Sequence, residues 1–255
     1  MTAFVEDAMA IKSPAEIALI RESCKWAGLA HQRLQALTRV GVTETEVSMA
    51  ASQEATVALL QALGRSYRAQ SMYGDGPSAG YRGQIGRNAA VPHALTDNLR
   101  FAEGDVLVTG AGCPMWGYNS ELERTMFVGR ASDAQRRLFD HMANAQDAAI
   151  SALTPGAPCA SADRVVRAYY EAKGLMGHWR HHTGHAIGLR YHEGPFLDVG
   201  DPTLIQPGMV FTVEPGLYDP ALGGFRHSDT VLVTESGTEL LTEYPRDLDA
   251  LTIPV

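Results

Sequence analysis

The chain of 255 residues is 45% hydrophobic and carries a formal net charge of −8 at neutral pH. That length buries one sizeable core, so a single α/β catalytic unit is expected, and an acidic balance without any basic run excludes the electrostatic footprint of a nucleic-acid binder. Cys24, Cys113 and Cys159 are too few and too scattered for a disulfide framework or a thiolate metal site. With no membrane-length apolar run and no leader pattern, the reading is a protein of the reducing cytoplasm with no membrane partner.

Met1 to Ala10 reads as a loose lead-in, and residues 1–12 are set apart from a catalytic domain over residues 13–255. Ser13, Pro14 and Glu16 occupy the N-cap, N1 and N3 positions of a capping box. Ile17, Ile20, Cys24, Ala27, Leu34 and Leu37 then form an approximately helical apolar stripe, which TRVGV (Thr38 to Val42) ends. A second helix is expected from about Glu44 to Leu63. The glycine-rich stretch Met72 to Gly86 reads as an irregular loop that lines a pocket without supplying chemistry. Strands rich in β-branched residues are expected at Val106 to Thr109, Met126 to Val128, Val210 to Val213 and Thr230 to Thr234. Between them lie a helix from about Asp133 to Leu153, the turn TPGAP (Thr154 to Pro158) and a helix from about Ser161 to Lys173. Two helices leading into strands in each half suggest a pseudo-twofold duplication of a helix-and-antiparallel-sheet unit, in an α/β (α+β) class.

Three segments carry the chemistry. His181 to Pro195 reads HHTGHAIGLRYHEGP, a density of imidazoles that no ordinary core element tolerates. Its histidines bind metals or move protons near neutral pH, and Gly184 and Gly188 let the backbone crowd a ligand or adopt angles closed to other residues. GMVFTVEPGLY (Gly208 to Tyr218) places Glu214 at the exit of a buried strand. GYNSELERTMFVG (Gly117 to Gly129) puts Glu121 and Glu123 two apart, so on a strand both face one side. His93, in VPHAL, reads on its own as a loop histidine.

Together these segments, with IKSPAEIALIR (Ile11 to Arg21), NAAVPHALTDNLRFAEGD (Asn88 to Asp105) and GGFRHSDTVLVTESGTELLT (Gly223 to Thr242), resemble the pita-bread superfamily of methionine aminopeptidase, Xaa-Pro aminopeptidase, prolidase and creatinase. The resemblance covers nearly the whole chain and implies the pita-bread fold. It also implies five metal-ligand positions, which fall on Gly110, Glu121, His185, Glu214 and Ser228. Gly110 has no side chain and Ser228 is neutral where a dinuclear centre needs a bridging charge, so a standard two-metal centre is lost. His93 matches the pocket histidine of the peptidases and the acid–base residue of creatinase, and ELERT stands close to the creatinase pattern in which the glutamate matching Glu123 grips a guanidinium group. His192 and Glu193 lie in the HE-P element. His192 reads as functional, Glu193 as either functional or a partner for buried backbone groups, and His178, His181 and His182 as solvated or core-edge residues.

The preferred reading is a hydrolase that splits a C–N bond of a small cationic guanidino, amidino or amino-terminal substrate without a cofactor. His93 serves as acid and base, Glu121, Glu123 and Glu214 surround and polarise the cation, and His185 and His192 orient it. The alternative is a Xaa-Pro-type aminopeptidase or dipeptidase in which Glu121, His185 and Glu214 hold one divalent ion (Mn, Co, Fe or Zn). A non-catalytic binding module is the third reading. A small molecule or short peptide is the expected partner, with a homodimer left open. Relatives such as prolidase and creatinase carry an N-terminal domain that this chain lacks, so it reads as either a stand-alone unit or a trimmed piece.

Overall fold

The computed structural model describes residues 4–255. Phe4–Ala10 forms a short helix, α1, rather than a loose lead-in, and it packs against the strand Glu193–Leu197. Met1 to Ala3 lie outside the described residues. Helix α2, Pro14–Leu37, starts on the expected box: Ser13 N donates to Glu16 Oε2 at 2.7 Å and Glu16 N to Ser13 Oγ at 3.4 Å. The next helix, α3 (Glu44–Leu63), opens on the same device at Thr43 and Glu46, and α4 (Asp133–Ser151) repeats it with Ser132 and Gln135. Each box satisfies backbone donors that a helix start otherwise leaves unpaired. Helix α5, Ala160–Ala172, has no side-chain cap.

Between α3 and α4 come β1 (Ser78–Gly80), β2 (Val106–Val108), β3 (Gly110–Gly112) and β4 (Thr125–Val128). After α5 come β5 (Gly184–Ala186), β6 (Glu193–Leu197), β7 (Val210–Val213), β8 (Gly216–Asp219), β9 (Gly223–Arg226), β10 (Asp229–Thr234), β11 (Gly237–Leu240) and β12 (Thr252–Ile253). Five strands form an antiparallel sheet in the order β11-β10-β7-β5-β6, and β12-β4-β2 form a second sheet in which β12 runs parallel to β4. Two ribbons, β1 with β3 and β8 with β9, complete the framework. Each half therefore has a helix pair laid on mainly antiparallel strands, as the duplicated pattern predicts.

One apolar core joins the halves: Ala27 and Leu34 of α2, Val47 and Ala51 of α3, Phe127 of β4, Phe139 and Met142 of α4, Phe211 of β7 and Phe225 of β9 are all buried together. Burying one such large side chain contributes about 1.5–3 kcal/mol, so the strands carrying the polar motifs are held by their apolar faces. A buried polar knot pins the same strands. Arg124 Nη2 donates to Asp229 Oδ1 at 2.7 Å, and Asp229 also accepts from Thr242 Oγ1 at 2.6 Å and Gln146 Nε2 at 2.9 Å.

Gly184 and Gly188 have a different reason from the one the sequence suggests. A Cβ on Gly184 would lie 2.1 Å from the Thr212 carbonyl oxygen, so glycine lets β5 close on β7. A Cβ on Gly188 would meet Lys12 Cε at 3.0 Å and the Glu193 carboxylate at 3.1 Å. Both glycines make room for the protein itself, not for a ligand.

Candidate active site

Glu121 and Glu123 lie on the extended segment leading into β4, and Leu122 between them points into the core. The alternation expected of extended backbone therefore holds, and both carboxylates line one cavity of about 390 Å³. His93, Glu214 and His192 line the same cavity, with Tyr73, Arg82, Gly110 and Tyr191. The backbone of Glu123 exchanges two 3.0 Å hydrogen bonds with Ser228, which brings the Ser228 hydroxyl to Glu121, donating to Oε1 at 2.7 Å.

Glu214 leaves β7 with its N–H on the Thr183 carbonyl at 2.7 Å, and it faces His185 of β5, whose Nε2 lies 3.2 Å from Glu214 Oε1. That pair is a close ionic contact, not a directed hydrogen bond: Nε2 is buried without a well-aligned partner. His185 Nδ1 is fixed on the Ala186 carbonyl at 3.0 Å. Held in this way, the ring, just behind the cavity lining, turns Nε2 toward Glu214 on the cavity wall, the orientation that ligating histidines take from a second hydrogen bond. One ligand atom each from Glu121, His185 and Glu214 lies within 4.8 Å of the others. Two carboxylates and an imidazole at that spacing fit a single divalent ion with open positions.

The charges are coupled. Burial pushes Glu121 up, and the Glu214 and Glu123 charges push it further, to about 7. Burial alone disfavours charge on Glu214, but His185 and Arg226 draw it well below the usual carboxylate range. Burial lowers His185 too, yet its contact with Glu214 and the charge of Glu121 prevail and raise it to about 9. His93 is lowered by burial and by the cations Arg226 and Arg82. His192, its ring centroid 4.2 Å from that of His185, is lowered by burial and by the His185 charge. Both are neutral at pH 7 and so able to accept a proton.

Glu123 departs from the role the sequence suggests. Its carboxylate is buried and already paired: Arg226 donates Nε to Oε2 and Nη2 to Oε1 at 2.9 Å, and Arg82 Nη2 donates to Oε1 at 2.6 Å. Three of the roughly four acceptor directions of this carboxylate are thus taken by the protein's own guanidinium groups, although it still lines the cavity. The repulsion among the three glutamates is relieved by the protein's own arginines, which lie outside the carboxylate and histidine motifs.

Arg226 and Arg82 are thus the functional-site residues that sequence reasoning missed. Arg226 had a signal: it stands two before Ser228, hence on the same face of an extended chain. Arg82 had none, inside a stretch read as an inert loop. A further network backs the site. Arg226 Nη1 donates to Tyr218 Oη at 2.9 Å, and Tyr218 Oη donates to His181 Nε2 at 2.7 Å. His181 is thus the core-edge residue the sequence allows, half-buried, and it supports the site. Glu193 is occupied by Lys12 Nζ at 3.0 Å and by Arg190 N at 2.9 Å, so it ties α2's entry to β6 and lies outside the cavity lining.

Comparison with known proteins places this geometry among relatives. Residues 18–235 match metallopeptidase family M24. A Xaa-Pro dipeptidase of Pyrococcus furiosus is 32% identical over 96% of this chain and 66% of its own length. A probable dipeptidase, PepE, of Mycobacterium tuberculosis is 32% identical over 96% of this chain and 61% of its own. Among solved structures, a Xaa-Pro dipeptidase from Bacillus anthracis superposes with a TM-score of 0.84 at 30% identity, over 99% of this chain and 66% of that one. The chain thus spans somewhat under two thirds of the length of these relatives. Among the described residues no helix is long and apolar enough to cross a membrane.

Proposed function

The chain belongs to metallopeptidase family M24 and has the pita-bread fold, and from that premise we propose that it hydrolyses the C–N bond of a short peptide with one divalent ion, manganese, cobalt, iron or zinc, held by Glu121, His185 and Glu214. The convergence of those three side chains within 4.8 Å carries the reading. The dipeptidase names of the relatives support a small peptide substrate. The cavity of about 390 Å³ suits a ligand of that size. When bound there, a divalent ion supplies Lewis acidity, the property that polarises an amide carbonyl and eases deprotonation of water.

The chain's own residues do the rest. His93, neutral on the cavity wall, takes a proton from the attacking water and returns it to the leaving nitrogen. His192, neutral beside His185, offers a hydrogen bond to the substrate amide. Arg226 fixes Glu123, which in turn steadies Arg82 on the opposite wall. Three buried free thiols support the reducing cytoplasm as its compartment.

A second reading keeps the site metal-free, with His93 as sole acid and base and Glu121 and Glu214 facing a small cationic substrate. One observation favours it: Ser228 donates to Glu121 and His185 contacts Glu214, so the cluster is closed upon itself. Elemental analysis of protein purified without chelator, followed by dipeptide hydrolysis before and after chelation, separates the two. The single-metal reading expects about one ion per chain and turnover that disappears on chelation and returns with metal. Turnover indifferent to chelator replaces it with the metal-free reading.

A further inference from the structure

The half of the cavity that faces Gly110 contains a fixed positive charge. A Cβ built on Gly110 would meet Arg82 Nη2 at 3.1 Å, Cζ at 3.3 Å and Nε at 3.5 Å, so any longer side chain there would run into the guanidinium. Arg82 is held in that position. Its backbone sits at φ +53°, in the left-handed region that a non-glycine residue rarely adopts, and its Nη2 is tied to Glu123, only 4% exposed, at 2.6 Å. Its side chain is nevertheless 48% exposed to the cavity, and among the described residues Nη1 and Nε have no acceptor.

We infer that Arg82 takes the place of a second cation, limiting the centre to one metal ion and presenting open guanidinium donors to a substrate oxygen. The charge count argues for it. Glu121, Glu123 and Glu214 face Arg226 and Arg82, a net charge of −1, so one divalent ion takes the set to +1 and a second would take it to +3. That excess positive charge would lie beside Arg226, which is buried and poorly screened by water. Missing ligands at Gly110 and Ser228 are then one half of a substitution whose other half is the arginine. The inference rests on the single-metal reading of the site.

Manganese stoichiometry by equilibrium dialysis tests it on three proteins: the parent, Gly110→Asp with Ser228→Glu, and the same double variant carrying Arg82→Ala. If Arg82 is the substitute cation, the double variant holds no more ions than the parent, because the introduced aspartate pairs with Arg82, and the triple variant holds one more. A double variant that gains the second ion with Arg82 intact overturns the inference, as does a triple variant equal to the double. Absence of metal from the parent removes the single-metal function, and the difference between double and triple variants then still decides the role of Arg82. Should the triple variant fail to fold, Arg82→Met alone decides. Losing the fixed charge should tighten manganese binding by roughly tenfold, whereas Arg82→Lys keeps the parent affinity. Unchanged or weaker binding in Arg82→Met refutes it.

Discussion

The cavity has two walls built from the same residue types that behave in opposite ways. On one, Glu121, His185 and Glu214 converge with a buried, poorly partnered Nε2 and a carboxyl group raised to about 7. On the other, Glu123 is saturated by Arg226 and Arg82 beside a glycine that yields its space. A carboxyl group raised by its neighbours and an imidazole nitrogen without an aligned partner mark where an incoming cation gains most, and a carboxylate saturated by arginines marks where the protein has supplied the cation itself. A glutamate in a site motif is therefore uninformative until its counter-ions are known.

The widest separation between the walls should appear in kinetics. His185→Ala removes a ligand from the open wall and should weaken metal binding by more than about 100-fold, with turnover lost in step, as judged by dialysis and dipeptide assay. Near-parental metal content in that variant would falsify the three-ligand assignment. His93→Ala leaves the three ligands intact, so metal content should stay at the parental level while kcat falls by about 10²–10⁴ and KM changes little. A matched loss of metal would instead make His93 a ligand or a structural support.

What the sequence revealed follows the range of the interactions involved. Capping at Ser13 and Glu16 is set by residues three apart, and the alternation that turns Glu121 and Glu123 to one side is a property of extended backbone. Both were legible. Helix α1 is only seven residues long and is held by packing on β6, so its own residues gave little sign of it. The short strand β1 exists through pairing with β3, about thirty residues away, and sits in a stretch whose glycines read as loop. Arg82 escaped for the same reason. Its role depends on Gly110 and Glu123, reached only through the fold. Gly184 misled because close approach to a ligand and close approach to β7 look alike in sequence.

The paired wall is predicted to matter first for stability. Arg226→Met leaves the Glu123 carboxylate buried with only Arg82 for a partner and removes donors from Tyr218 and the Pro92 carbonyl. Breaking a buried pair from one side typically costs about 3–5 kcal/mol, so urea unfolding should show a loss of that size. Adding Glu123→Gln removes the stranded charge and should recover part of it. If the double variant is no more stable than Arg226→Met alone, the pair is not the source of the loss. The double variant loses one charge of each sign and keeps the three-ligand cluster, so its metal binding should stay within a few-fold of the parent, whereas Arg226→Met alone, stripped of a cation 3.8 Å from Glu214, should bind metal more tightly.

The smallest expected effect lies behind both walls, in two histidines that neither bind nor react. His31 is fully buried, with Nε2 on Thr109 Oγ1 at 2.7 Å and Nδ1 without a partner, and burial reinforced by Arg124 lowers it to about 3. His227 is buried and lowered well below its ordinary value for the same reasons, burial first and then Arg124. Between pH 6.5 and about 3 the unfolded chain protonates His31 and the folded chain does not, and His227 acts in the same direction. Their contribution is therefore intact above about pH 6.5 and is lost as pH falls, each by up to about 1.4 kcal/mol per pH unit. Glu121, raised by burial and by Glu214, acts with the opposite sign between its unfolded value and about 7, so it offsets one of the two on the way down. His31→Gln isolates the term. Whatever it does to absolute stability, it should flatten the pH dependence of chelator-treated protein by about 1.4 kcal/mol per unit between pH 6 and 4, and an unchanged slope in urea titrations would mean that His31 is protonated in the folded state.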